Sequence, residues 1–303
     1  MKQPYYFLIV TLFMCCYAHA EDEDQPLEVE RPRLDLFQNK LNTMMQDTAS
    51  WLDDIDEHSD KKASSSGYLL LSWMPRTADL DDFDAKLKVA FDLPKINDKL
   101  SLIIDNDNED ELLLDYESDP FKDNQDNINL AFQYASDFSK SNNIKTRLGV
   151  SRSQLYVRSE AKLNWQLDNM GFELVPRIDY FYEDGWGPGL KGAMAYYLKK
   201  SAFSFSASWQ KIEKESRSRR KVGIFHIFKV NKKQLLVSGI QYNKSNNKYD
   251  ESNETYYLSM RYRHLAYKSW LYIEIEPFLD FNQVRDFRRE FGIAISFISY
   301  YGT

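Results

Sequence analysis

Charged residues stand at every second position through LYVRSEAKLNWQLDNMGFELVPRIDYFYE, residues 155–183. Outbound they are Arg158, Glu160 and Lys162; returning, they are Glu173, Arg177 and Asp179. Arg261 and Arg263 repeat the spacing, as do Glu274 and Glu276. Lys86, Lys88, Asp92, Lys145, Arg147, Lys191 and Asp280 fall on the same parity of their own segments. Fixed charges of both signs on one face can neutralise one another in a packed interior. They can also line a wet path and set which small solutes pass. Neither role needs a nucleophile, and catalytic signals are thin. Beyond residue 20 the histidines are His58, His226 and His264, and no local pattern pairs one with an activated serine. A hydrolase working through loop carboxylates is the third reading, after these two.

The loop 105–126 carries ten acidic residues and one lysine. Asp105, Asp107 and Glu109 stand as at the start of a calcium loop, but the glycine is missing and position twelve is Tyr116. A solvated acidic loop is the first expectation; divalent-ion binding, Ca2+ included, is the sharper alternative. No other cofactor is expected.

The element that must hold the first charges is a strand pair. Leu155, Val157, Ser159, Ala161, Leu163, Trp165 and Leu167 alternate with Tyr156, Arg158, Glu160, Lys162, Asn164 and Gln166, an apolar face against a polar one. Asp168-Asn169 suits a two-residue turn, because both types tolerate positive φ. That turn alone makes Arg158 face Asp179 and Glu160 face Arg177, two pairs of opposite sign. A second turn near Lys268-Ser269 makes Arg261 face Glu276 and Arg263 face Glu274.

Residues 1–20 read as a secretory signal: Lys2, an apolar run too short to span a bilayer, then Ala18-His19-Ala20. Both cysteines, Cys15 and Cys16, lie within it, so the mature chain is expected to hold no thiol, disulfide or Cys-based metal site. Without Lys2 the chain has 38 basic and 46 acidic residues, a net charge of −8 that argues against nucleic acid. Residues 21–67 form a separate acidic segment. Within it 34–55 carries Phe37, Leu41, Met44, Trp51 and Ile55 at helical spacing, interrupted by Thr48. Such a helix could pack on a rim or plug a lumen. Residues 61–67 read as a linker.

From residue 68 the chain carries fourteen strand candidates and no helical period: 68–74, 85–93, 99–105, 127–134, 145–151, 155–167 and 172–183, then 190–199, 202–212, 221–230, 233–243, 256–264, 271–281 and 290–301. Twelve strands remain an alternative if 68–74 and 99–105 are loops. Connections alternate between short turns and longer polar loops, with 136–144 long on the short side. Aromatic residues make up 15% of the chain, enough for girdles at two membrane interfaces.

Signal, alternating strands, unequal connections and the last strand, with Phe291, Ile293, Ile295, Phe297 and Tyr301 on one face before Gly302-Thr303, resemble the Gram-negative outer-membrane β-barrel class. The resemblance implies an all-β, antiparallel, up-and-down transmembrane barrel over residues 68–303. It also implies export to the cell outer membrane, with outer-membrane lipid and lipopolysaccharide as surroundings. The role expected first is passive or gated passage of a small hydrophilic solute. The alternative is a closed structural or surface-interaction barrel working through its acidic loops.

Overall fold

The computed structural model describes residues 32–53, 63–77, 82–94, 96–106, 128–139, 141–151, 153–213, 217–246 and 252–302. The expected signal, Ile55, Asp107, Glu109 and most of the acidic loop lie outside them.

One helix, α1 (Pro32–Asp53), precedes fourteen strands. Proline opens it, where its fixed φ and missing N–H cost nothing. The strands are β1 (Ser64–Trp73), β2 (Phe83–Asp92), β3 (Leu100–Asp105), β4 (Asn129–Ser139), β5 (Asn142–Ser151), β6 (Gln154–Leu167) and β7 (Met170–Phe181). There follow β8 (Gly185–Tyr197), β9 (Ser201–Ile212), β10 (Arg217–Asn231), β11 (Gln234–Asn246), β12 (Ser252–Tyr267), β13 (Leu271–Asn282) and β14 (Arg289–Tyr301). Each pairs antiparallel with its chain neighbours, and β1 pairs with β14 to close the barrel. Among the described residues no helix is long and apolar enough to cross a bilayer.

Alternation sorts the two faces. Leu155, Trp165, Ile178, Phe203, Ile224, Ile240, Leu258 and Phe297 are exposed on the outer wall, while the residues between them turn inward. Facing aromatics pair along the outer wall, Trp165 stacked on Phe172 at 5.5 Å and Tyr242 tilted against Tyr256 at 5.1 Å. The even-to-odd turns and both described chain ends share one rim, here the termini end. Bulges at 137–139, 229–231 and 265–267 sit beside those turns. Asp168 takes φ 50° and Lys268 φ 44°, the left-handed conformation that a two- or three-residue reversal demands.

Both short strands pair on each side, which settles the count at fourteen. Four boundaries differ from the sequence reading. The serine-rich stretch read as linker belongs to β1 from Ser64, because ladder hydrogen bonds come from the backbone and need no apolar side chain. β4 runs to Ser139 and β5 starts at Asn142, so the connection expected at 136–144 shortens to two residues. Between β7 and β8 the chain turns at Tyr182–Asp184 rather than looping to 188, with Gly185 at φ 79°. Strands β10 and β12 extend past their apolar cores into polar residues.

Candidate functional site: the charged inner wall

All seventeen charged candidates lie on the inward face. Register fixes this: Lys145 faces Glu160, Arg147 faces Arg158, Arg158 faces Asp179 and Glu160 faces Arg177. Lys191 stands opposite Val175, Arg261 opposite Val237 and Arg263 opposite Glu274. Lys86 and Lys88 face Leu70 and Tyr68 on β1. Both expected charge registers are present.

Near the far end of the β6–β7 wall stands Asp179. Arg158 Nε donates to Oδ1 at 2.7 Å, and Arg177 Nε and Nη2 reach Oδ2 at 2.9 Å. The Asp179 side chain is fully buried and Arg158 is 3% exposed. Charges at that depth persist only when paired and hydrogen-bonded. Toward the termini end, Glu173 takes Lys162 at 2.8 Å and Lys191 at 3.5 Å. Arg147 donates to Gln133 at 2.7 Å. On the opposite wall Arg261 reaches Glu276 at 2.9 Å, where the Tyr257 hydroxyl also donates, and Arg263 pairs with Glu274.

Strand order turns these pairs into a pattern. In a closed ring of fourteen, β6 and β13 stand seven strands apart and face each other. The inner face of β5–β8 carries six basic residues (Lys145, Arg147, Arg158, Lys162, Arg177, Lys191) against Glu160, Glu173 and Asp179. That of β12–β14 carries Arg261 and Arg263 against Glu274, Glu276, Asp280 and Glu290. Among the described residues, a basic wall therefore confronts an acidic one.

The lumen is not uniform along its length. At the far end Tyr156, Phe181, Tyr257 and Phe278 turn inward and are buried, Tyr156 on Phe181 at 5.8 Å and Tyr257 on Phe278 at 5.3 Å. Toward the termini end of β6–β9 the wall opens into a cavity of about 370 Å³ lined by Asn164, Gln166, Glu173, Ala193, Tyr197 and Ser204. Lys162, beside it, is exposed. The inward aromatics escaped the sequence reading, since an apolar residue on a mixed inner face breaks no pattern.

Both described histidines point outward. His226 stacks on Phe203 at 4.6 Å and His264 lies parallel to Tyr262, so neither stands in the lumen. Asp105 is buried and accepts from Asn129 Nδ2 at 2.8 Å. Among the described residues no group of three His, Cys, Asp or Glu side chains is arranged to hold a metal.

The helix does not enter the lumen through the contacts it makes. Met45 packs on the cluster of Ala63, Val89, Phe91, Leu93, Leu102 and Tyr301. By register, Leu102 shares the face of exposed Phe132, and Val89 that of Tyr301 and Gly67. This is the outer side of the wall. Phe37, Leu41, Met44 and Trp51, expected as plug residues, belong to this helix, whose Met45 packs at the termini end on the outer side of the wall.

No protein-family model matches the chain, and no curated protein matches its sequence. Solved structures do match in shape. A loop L8 deletion mutant of OmpT, an outer membrane protein of Vibrio cholerae, aligns over 79% of this chain and 99% of its own, with TM-score 0.55 and 10% identity. Pseudomonas putida OprB aligns over 79% and 94%, with TM-score 0.52 and 9% identity. The outer membrane channel DcaP of Acinetobacter baumannii aligns over 79% and 97%, with TM-score 0.51 and 8% identity. The chain has the outer-membrane β-barrel fold. At such identities the likeness is one of architecture alone.

Proposed function

We propose that this barrel is a channel of the outer membrane that passes small hydrophilic solutes. The observation that carries the reading is the inner wall itself. It is charged and polar along most of its height, and an open cavity lies at the termini end. A fourteen-strand ring also encloses more space than the eight-strand barrels whose side chains fill the interior. The outer-membrane channel among its structural neighbours agrees with this reading. Short turns and both barrel ends on one rim favour a periplasmic position for the cavity. The outer aromatic wall then meets outer-membrane lipid and lipopolysaccharide.

Burial of Asp179 and Phe181 favours a second reading, a barrel closed in its outer half that works as a structural or surface-interaction protein. Single-channel conductance of the refolded protein separates the two. Steady current that grows in Phe181→Ala supports a channel narrowed by the inward aromatics. No current from either protein, with the fold verified, removes the channel reading.

A further inference from the structure

Helix α1 crosses the line where the barrel closes. At its start, Asp35 accepts from the Tyr267 hydroxyl at 2.8 Å and from Lys268 Nζ at 2.7 Å, both at the β12–β13 turn. Two turns on, Asn42 Oδ1 accepts from the Gly302 backbone N–H at 3.3 Å, just beyond β14. Then Gln46 donates to the Ala63 carbonyl, just before β1, and Met45 packs on outward-facing residues of β2 and β3. One rigid rod thus touches strands on both sides of the β14–β1 seam, from outside.

Gly67–Trp73 faces Ile295–Tyr301 over seven pairs, and β2 faces β3 over only five, whereas thirteen join β10 to β11. Ser64, Ser65, Ser66 and Gly67, the start of β1, bring little apolar surface of their own to the wall. Close approach replaces it. Tyr301 donates its hydroxyl to the Lys88 carbonyl over Gly67, where an added Cβ would lie 2.0 Å from that oxygen. Gly302, at φ 73°, brings its backbone against Ser65 so closely that a Cβ there would lie 1.8 Å from the Ser65 carbonyl.

We propose that α1 is an external clasp that holds the closing seam shut at the termini end. It joins the β12–β13 turn and the end of β14 to β1 and the β2–β3 hairpin. The clasp and the channel are independent, because the helix leaves the lumen free through these contacts.

Hydrogen exchange on the full-length protein in detergent tests this. In Asp35→Ala combined with Met45→Glu, the amides of 64–70 and 298–301 should exchange roughly tenfold faster, the factor set by one or two lost hydrogen bonds. Those of 170–181 should keep their rate. Unchanged seam exchange, or an equal rise all round the barrel, overturns the clasp. A second protein covers the case in which that variant does not fold. It carries Asp35→Cys and Lys268→Cys with Cys15→Ser and Cys16→Ser. A short bis-maleimide should join the two new thiols in the folded barrel and slow seam exchange. Failure to join them, or joining without slowing, also overturns it.

Discussion

Arg158 donates across the β6–β7 ladder to Asp179, and Arg177, two residues along the same strand as that carboxylate, donates to its other oxygen. One buried carboxylate therefore neutralises part of two guanidinium charges. Asp179→Ala removes the carboxylate that both buried guanidinium groups share. Breaking such a pair costs about 3–5 kcal/mol, whereas replacing it with packed apolar groups is often neutral. Asp179→Ala should lower the denaturant midpoint sharply, and Arg158→Met with Arg177→Met and Asp179→Leu should restore most of it. Equal midpoints for the single and triple variants would show that the clamp does not act as a unit.

Lys162 is the accessible member of the basic wall, its side chain 46% exposed beside Glu173. Lys162→Glu reverses a charge next to the cavity without touching the buried clamp. In a salt gradient the reversal potential should move toward cation preference. The move should shrink as ionic strength rises to ~1 M, where the screening length falls to about 3 Å. A reversal potential that stays put would place the ion path away from β6–β8.

Ile224 is 61% exposed at the middle of β10, on the outer wall. Ile224→Arg sets a charge at mid-height against lipid, which costs about 2–4 kcal/mol in barrels of this kind. Unfolding from bilayers should report that loss. A much smaller cost would mean that this part of the wall is covered by protein.

The Asp35–Lys268 anchor fixes the pH range of the clasp. The Lys268 ammonium, then the Tyr267 hydroxyl, hold the Asp35 carboxyl below its usual range, and Asp35 in turn raises Lys268. The carboxylate contribution is complete above about pH 4 and disappears as pH falls through the lowered value. The ammonium contribution is complete below about pH 10 and disappears as pH rises through the raised value. Seam exchange should be flat between these limits after correction for intrinsic rates, and should rise at the acid end. The same acid rise in Asp35→Asn would assign it to another group.

Turn chemistry made much of the wall legible. Asp168-Asn169 set the β6–β7 register before any charge was considered, and the ladder runs in that register. Parity then carried Lys145, Arg147, Lys191 and Glu276 to the correct face. His226 was different, since strand 221–230 mixes polar and apolar residues on both faces; its neighbours Phe203 and Ser238 decide its side. Ser64–Gly67 escaped because backbone pairing leaves no mark on side-chain pattern. The seat of α1 escaped for a related reason. Its partners Tyr267, Lys268 and Gly302 lie more than 230 residues away in sequence, and a local pattern cannot point to them.

Closure between the first strand and the last has a consequence for how the ring is made. Each hairpin from β2 to β13 joins neighbours in the chain, but Tyr68 meets Tyr300 only after everything between them is in place. Contacts of such long separation form late, because their loop-closure entropy is repaid last. Until then the molecule is an open sheet with two bare edges, each able to pair with another chain. Assembly of this barrel is thus a race between the two ends of one chain and the ends of its neighbours.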